Sequence, residues 1–151
     1  MPAATAVSAN DPALRLDNQL CFALYSASLA MTRFYKPLLE SLGLTYPQYL
    51  VLLVLWEHET LTVSELGERL TLDSGTLTPL LKRMEAAGLL QRARSLHDER
   101  RVHVTLTAAG RKLKLRAAKV PACVIQAAAC PVPELVGLTR QIQSLRMRLV
   151  A

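Results

Sequence analysis

Apolar residues recur at intervals of three and four over most of the chain, which is the spacing of amphipathic helices. The first such run predicts a long helix over residues 17–42, which ends at Gly43 and is kinked near Pro37. Thr45 stands three residues before Gln48, a capping-box pattern that opens a helix through about residue 56. This second helix is apolar almost all round, so we expect it at the centre of the fold.

The capping pattern returns at Thr62 and predicts a short helix over residues 63–70, followed by a tight turn. Asp73 caps the next predicted helix, over residues 74–87, and Gly88 stands just past its end. Two helices joined by so short a turn are typical of a helix-turn-helix motif.

The spacing then changes from helical to alternating. Residues 89–94 and 102–106 predict the two strands of a β-hairpin with a basic tip. Thr107 caps a predicted helix that runs to about Ala129, where Pro131 and Pro133 interrupt it. The last segment carries an apolar seam suited to a partner helix, formed by Leu135, Leu138, Ile142, Leu145 and Leu149.

This order of elements predicts a mostly α-helical fold with a small β-hairpin wing, a winged helix-turn-helix flanked by long helices at both ends. Residues 1–14 show no periodicity and are expected to form a mobile arm. We expect residues 15–151 to form a single domain, because the chain is too short for two ordinary hydrophobic cores.

Composition agrees with this architecture, since 51% of the residues are hydrophobic and only 5% aromatic. A net charge of +6 and a pI near 9.6 favour a polyanionic partner. Three widely spaced cysteines suit reduced thiols, and the N-terminus lacks the pattern of a secretory leader. The longest apolar run is shorter than the roughly 20 residues of a membrane span, so we expect a cytoplasmic protein without a membrane partner.

The predicted helix over residues 74–87 presents small hydroxyl side chains in its first turns and cations near its end. Small polar side chains can approach base edges closely, while Lys and Arg suit phosphates. An ordinary surface helix would show the same pattern, but the short helix before it and the hairpin after it favour DNA. The expected contacts with double-stranded DNA on this helix are Ser74, Thr76, Thr78, Pro79, Lys82 and Arg83.

Arginines crowd the hairpin at positions 92, 94, 100 and 101, and their mutual repulsion is costly unless they meet an anionic surface. Asp98 and Glu99 would neutralise part of this charge. An arginine inserted into the minor groove is the sharper hypothesis. The expected DNA contacts of the wing are Arg94, Asp98, Arg100 and Arg101.

The segments LTVSELGERL, DSGTLTPLLKRMEAAGLLQR and DERR resemble the MarR family of regulators over nearly the whole chain after the arm. Within that family, Asp98 resembles the wing aspartate that holds an arginine, here Arg100, pointing at DNA. NQLCFALYS and RFYKPLLESLGLTYPQY resemble the organic-hydroperoxide-responsive repressors (OhrR type). The resemblance implies a homodimer that binds operator DNA through about residues 45–107 and dimerises through residues 15–43 and 108–151. It also implies an organic hydroperoxide as the inducer.

Cys21 is the candidate sensing residue because it lies about one turn into the first predicted helix. The positive end of a helix stabilises a thiolate, the form that attacks peroxides. Its apolar neighbours Leu20 and Phe22 suit an inert buried thiol as well. Tyrosine hydroxyls donate hydrogen bonds that stabilise thiolates, and the candidate donors are Tyr25, Tyr35 and Tyr46, whereas Tyr49 is assigned to packing.

Tyr35 follows Cys21 by fourteen residues, about 21 Å along one helix, so the two side chains of one chain cannot touch. If Tyr35 serves the thiolate, it must come from a second subunit. The resemblance implies that the oxidised cysteine condenses with a second cysteine; we expect Cys123 of the partner subunit, with Cys130 as the alternative. Strain from this disulfide would rotate the two DNA-binding parts relative to each other as rigid bodies and release the DNA.

Two other functions compete with this hypothesis. One is a MarR-type repressor released by a small phenolic ligand, with Cys21 incidental; the other is a thiol peroxidase. We expect no enzyme, because neither a cofactor loop nor a catalytic Ser-His-Asp set is indicated. We also expect no metal and no cofactor, since the three histidines lack the spacing of metal ligands.

Overall fold

The structure is a computed structural model that describes residues 10–151. Residues 1–9, most of the predicted arm, lie outside the described part. The helices are α1 (Leu20–Glu40), α2 (Tyr46–Glu57), α3 (Val63–Leu70), α4 (Ser74–Ala86), α5 (Ala108–Ala117), α6 (Val120–Ala128) and α7 (Val132–Val150). The strands are β1 (Thr60–Thr62), β2 (Leu90–Arg94) and β3 (Val102–Leu106).

The chain enters the first helix through two 3-10 turns, Pro12–Leu14 and Leu16–Asn18. The Asp11 carboxylate accepts a hydrogen bond from the backbone N–H of residue 13. The Asn18 and Gln19 side-chain amides donate to the carbonyls of residues 12 and 13, each at 2.7 Å. Because these turns occupy residues 12–18, α1 begins at Leu20, later than the residue 17 that the sequence predicts.

The helix caps form as the sequence predicts. The hydroxyls of Thr45 and Thr62 each accept a hydrogen bond from the backbone N–H three residues later. The side chains of Gln48 and Glu65 in turn accept from the backbone N–H of Thr45 and Thr62, which completes both capping boxes. Asp73 accepts from the backbone N–H of residue 76 and opens α4. These caps fix where α2, α3 and α4 begin.

The core lies where α2 and α4 meet α3, the sheet and α5. Leu52 and Leu55 of α2, Leu66 of α3 and Leu77 and Leu81 of α4 are fully buried there. The Trp56 indole N–H donates to the carbonyl of Gly110 at 2.9 Å and ties α2 to the start of α5. Burial of this leucine cluster is the main stabilising term of the winged unit, defined here as residues 46–106.

The predicted hairpin is confirmed, with Leu90 opposite Leu106 and Arg94 opposite Val102. The sheet also contains a third strand that the sequence did not predict, because β1 has only three residues and no room for an alternating pattern. It pairs antiparallel with β3 and gives the order β1-β3-β2. The wing is thereby anchored directly to the start of α3.

The single helix predicted from Thr107 to about residue 129 is wrong. Residues 118 and 119 separate α5 from α6, and Pro121 lies in the first turn of α6. Proline has no N–H to donate to the carbonyl four residues earlier, so an uninterrupted helix would lose a bond there. Ala129, in the left-handed region at φ 51°, then ends α6.

The helices α1, α6 and α7 bury little within the chain. Leu39 is the buried residue of α1, and every residue of α7 is exposed or half-buried. Within residues 10–151 no single helix is long and apolar enough to cross a membrane; Ala108–Ala128 and Val132–Val150 reach that length and composition only together, with a 95° bend between them.

Candidate functional site: a winged nucleic-acid interface and a cysteine–tyrosine region

The helix α4 has two distinct faces. Leu77, Leu80, Leu81 and Met84 are buried against the core. The predicted DNA contacts lie on the other side, where Thr78 is half-buried and the remaining residues are exposed: Ser74, Thr76, Pro79, Lys82 and Arg83. The residues expected to touch DNA therefore form one accessible surface of a helix whose position is fixed by packing.

A close backbone approach fixes the angle between α3 and α4. A side-chain carbon added at Gly67 would lie 2.8 Å from the carbonyl oxygen of Leu72, too near for any other residue without movement. Thr71 adopts the left-handed conformation at φ 57°, which turns the chain within three residues. Gly67 was not singled out in the sequence, although a glycine inside an amphipathic helix indicates such an approach.

The wing loop holds the side chain of Arg100 beside Asp98. One carboxylate oxygen of Asp98 accepts from the backbone N–H of Arg100 at 3.1 Å and from its guanidinium at 3.3 Å. The Arg100 side chain remains 92% exposed. Bonds between the backbones of Ser95 and Arg101, and of Arg101 and Asp98, brace the loop. The expected pair of Asp98 and Arg100 is thus formed, with its charge directed to solvent.

Arg92 is not, as the sequence indicated, one of the crowded, unpaired arginines of the hairpin. Its guanidinium donates to Glu85 of α4 at 2.9 Å, and its backbone N–H donates to the other carboxylate oxygen at 3.1 Å. Both hydrogen bonds lower the pKa of the Glu85 carboxyl, and the bond from the Arg92 backbone N–H has the larger effect. Arg92 is therefore a tie between the wing and α4, not one of the unpaired charges at the tip.

A groove of about 470 Å³ separates α3 and α4 from the wing. Ser74 and Thr78 line it from α4, and Arg100 and Arg101 line it from the wing. Two acidic side chains, Glu65 and Glu68, also line it, and Glu65 accepts a hydrogen bond from the backbone N–H of Thr62, the N-cap of α3. Four of the predicted DNA contacts thus share one concave surface.

The three cysteines are free thiols. Cys21 is exposed and is the second residue of α1, so it lies closer to the positive end of the helix than the sequence indicated. Tyr25 follows one turn later and is also exposed. Cys123 on α6 and Cys130 just after it are both half-buried.

The other two candidate tyrosines meet far from Cys21. The ring centroids of Tyr35 and Tyr46 are 4.9 Å apart, and Tyr49 packs against Tyr35 at 5.8 Å. Burial, together with these two neighbours, raises the pKa of Tyr35 to about 12. Burial likewise raises the pKa of Tyr49, which is packed in the core as expected. Tyr35 therefore keeps its proton and remains a hydrogen-bond donor at every physiological pH.

Cys21 and Tyr35 stand near opposite ends of the same continuous helix, fourteen residues and about 21 Å apart along its axis. Within one chain, Tyr25 is therefore the one candidate donor near Cys21, and Tyr35 and Tyr46 are out of its reach. Among residues 10–151, no group of three or more His, Cys, Asp or Glu side chains could hold a metal ion.

Comparisons with known proteins point to transcription. Residues 33–116 match the family described as transcriptional regulator SarA/Rot. The chain is 59% identical over 112 residues, 74% of this chain and 76% of the relative, to the organic hydroperoxide resistance transcriptional regulator of Bacillus subtilis. These relatives are regulators rather than enzymes, as the sequence predicted.

The fold matches solved structures of AbfR, a protein of Staphylococcus epidermidis. The structure of reduced AbfR bound to DNA superposes with a TM-score of 0.76 at 36% identity, covering 91% of this chain and 96% of that one. The disulfide-formed AbfR superposes with a TM-score of 0.59 at 38% identity, covering 87% and 92%. The conformation described above is thus nearer to the reduced, DNA-bound form.

Proposed function

Since this chain belongs to the SarA/Rot family of transcriptional regulators and has the winged-helix fold of MarR-type proteins, we propose that it is a homodimeric repressor that releases operator DNA when organic hydroperoxides oxidise Cys21. The observation that carries the proposal is the exposed Cys21 in the first turn of α1, together with Tyr35 and Tyr46, the candidate hydrogen-bond donors, which lie at the other end of that helix.

The winged unit is the DNA-binding part of the proposal. α4 enters the major groove with its small hydroxyl residues toward the base edges, and Lys82 and Arg83 contact phosphates. Arg100, held by Asp98, reaches the neighbouring minor groove. AbfR, which shares this fold, was solved bound to DNA, and this supports the assignment.

The dimer is proposed from the apolar surface that α1, α6 and α7 leave open. Its exposed members include Leu29, Met31, Ile125, Val136, Leu138 and Ile142. Large apolar side chains left exposed on three helices are expected to meet a partner surface. A second copy of the chain buries it, and antiparallel α1 helices bring Cys21 of one subunit to Tyr35 and Tyr46 of the other.

The chemistry begins with the thiolate. The Cys21 sulfur attacks the terminal peroxide oxygen, an S–O bond forms as the O–O bond breaks, and the organic alkoxide leaves and takes up a proton from water. Sulfur is oxidised by two electrons and the peroxide is reduced to an alcohol. The thiol of the partner's Cys123 then attacks the sulfenic sulfur, which forms the disulfide and releases water.

Release follows because a dimer binds two half-sites only when its α4 helices are about one DNA turn, roughly 34 to 36 Å, apart. The proposed disulfide joins α1 of one subunit to α6 of the other, and these are elements of the dimer. Closing that bond rotates the two winged units out of register. The lower similarity to the disulfide-formed AbfR is consistent with this movement.

The experiment is operator release by cumene hydroperoxide, measured by fluorescence anisotropy. Cys21→Ser should bind DNA as tightly as the unaltered protein and fail to release it, because serine cannot form a sulfenic acid. Cys123→Ser should be oxidised at Cys21 without forming the crosslinked dimer on a non-reducing gel, and Cys130→Ser should behave as wild type. Release of Cys21→Ser by hydroperoxide would instead favour a repressor that responds to a bound ligand.

A further inference from the structure

The segment that precedes α1, residues 12–18, is here called the N-terminal strap. Its two 3-10 turns are held by side-chain bonds from Asp11, Asn18 and Gln19. Leu14 and Leu16 are nevertheless 70% and 58% exposed. A segment with a defined shape and outward leucines has the form of a docking element that lacks its partner surface.

An apolar groove of matching character lies at the other end of α1. It has a volume of about 340 Å³ and is formed where the last turns of α1 meet the start of α2. Its lining includes the apolar residues Leu39, Leu44 and Pro47 and the charged residues Lys36 and Glu40. Tyr46 lines the groove and also packs against Tyr35, so the groove adjoins the tyrosines of the proposed sensing site.

The proposed dimer brings these two features together. If Cys21 lies opposite the partner subunit's Tyr35 on antiparallel helices, position 20 falls opposite position 36. The strap, which precedes position 20, then lies toward the end of the partner's α1, where the groove is formed. Charges are complementary in this arrangement, because Asp17 and Arg15 of the strap would face Lys36 and Glu40, which within one chain form an exposed ion pair at 3.9 Å.

From this register we propose that the strap of each subunit docks in the α1–α2 groove of its partner and closes the Cys21 site. Leu14 and Leu16 fill the groove, and the strap covers the approach to the thiol from bulk water. This proposal rests on the dimer proposed above. In one chain the Cys21 site then lacks Tyr35 and Tyr46 as well as its cover.

A disulfide crosslink tests the docking directly. Leu16→Cys and Glu40→Cys are introduced together into a protein in which Cys21, Cys123 and Cys130 are changed to Ser. Within one chain α1 alone keeps these positions about 30 Å apart, so only an intersubunit bond can form. Mild oxidation with copper phenanthroline should convert more than half of the protein to a covalent dimer on a non-reducing gel.

The matched control carries Leu115→Cys with Glu40→Cys, because Leu115 is an exposed leucine on α5 outside the proposed contact. It should remain monomeric on the same gel. Light scattering of each reduced protein separates the outcomes. A dimer that forms no crosslink overturns strap docking and leaves the proposed function intact, whereas a monomer overturns the dimer and the docking together.

A second variant tests whether the strap shields Cys21 from solvent. Leu14→Ser with Leu16→Ser, both at exposed positions, should raise the rate of alkylation of Cys21 by iodoacetamide several-fold while the protein stays dimeric. Leu115→Ser serves as the control with no change in rate. An unchanged alkylation rate in the strap variant would contradict the closing role.

Discussion

The winged unit and the flanking helices differ in how much of their structure one chain completes. In the winged unit most apolar side chains are buried, with Leu53 and Leu96 as exposed exceptions, the helix ends are capped, and Arg92 is paired with Glu85. In α1 and α7 most apolar side chains are exposed or half-buried, and only Leu39 is buried. We therefore propose that one chain completes the DNA-binding surface, whereas the sensing site needs two chains.

This difference explains how a sensor can control DNA binding without changing the DNA-binding surface. The winged unit shares its core with Leu39 of α1 and Leu113 of α5, and we expect it to move as a rigid body, so that a signal needs only to change its orientation. In the proposed dimer, the arrangement of the flanking helices depends on contacts between subunits. Oxidation of Cys21 in this region would then change the relative orientation of the two winged units and leave each of them folded.

The largest expected effect comes from disrupting the proposed dimer. Leu138→Glu with Ile142→Glu places two charges on the proposed dimer face of α7, where the leucine and isoleucine are exposed in one chain. We expect a monomer by light scattering and a loss of operator affinity of at least about hundredfold, because two linked winged units no longer bind the DNA together.

The matched control is Leu115→Glu, the same type of substitution at an exposed leucine of α5, outside the surface proposed for α1, α6 and α7. It should leave both the mass and the affinity unchanged. A double variant of α7 that stays dimeric would place the interface elsewhere and remove the comparison between the two regions.

A smaller effect is expected within the winged unit. Arg100→Ala removes the exposed guanidinium that Asp98 holds and should weaken operator binding about tenfold at physiological salt. The slope of log affinity against log salt should fall by about one unit if the contact is a phosphate. Lys112→Ala, which removes an equal charge from α5, should change neither quantity. Similar losses from both variants would indicate a general charge effect instead of a wing contact.

The tyrosine cluster should affect only the rate of sensing. Tyr35→Phe removes a hydrogen-bond donor that stays protonated because its pKa is about 12, and we expect oxidation of Cys21 to slow about fivefold at neutral pH. Tyr49→Phe, in the same ring cluster, is the control. The effect of Tyr35→Phe should disappear in the monomeric α7 variant, since the donor and the thiol belong to different subunits. Persistence in the monomer would contradict the shared site.

The two regions were also unequally predictable from sequence. The winged unit follows local rules: Thr62 and Asp73 mark the starts of α3 and α4, and alternation marks β2 and β3. The strand β1 was missed because three residues carry no period. The partner of Arg92 was missed because Glu85 is seven residues away and on another element, a contact that spacing does not reveal.

The flanking region was less accurately predicted because its determinants are not periodic. Pro121 breaks the predicted helix after β3, and the helical pattern of its neighbours conceals the break. The 3-10 turns at residues 12–18 depend on side-chain bonds of Asn18 and Gln19 to particular carbonyls. Helix geometry alone keeps Tyr35 out of reach of Cys21 in the same chain, and its action across a dimer remains a prediction.

The smallest expected effect concerns the tie between the wing and α4, and it distinguishes the two regions by pH and by oligomeric state. Glu85→Gln removes the charge that accepts from the Arg92 backbone and guanidinium, and should lower the melting temperature at pH 7 by about 1 to 3 °C. Because these bonds lower the pKa of Glu85 in the folded protein, their contribution is present above the carboxyl's unfolded pKa, near pH 4, and is lost as the pH falls through the folded value. The melting temperatures of the variant and the unaltered protein should therefore converge below about pH 4. The Glu85–Arg92 contact lies within one chain, so the same difference in melting temperature should be measured in the monomeric α7 variant by differential scanning calorimetry. A difference that vanished in the monomer would mean that the winged unit also depends on its partner, and the contrast between the two regions would fail.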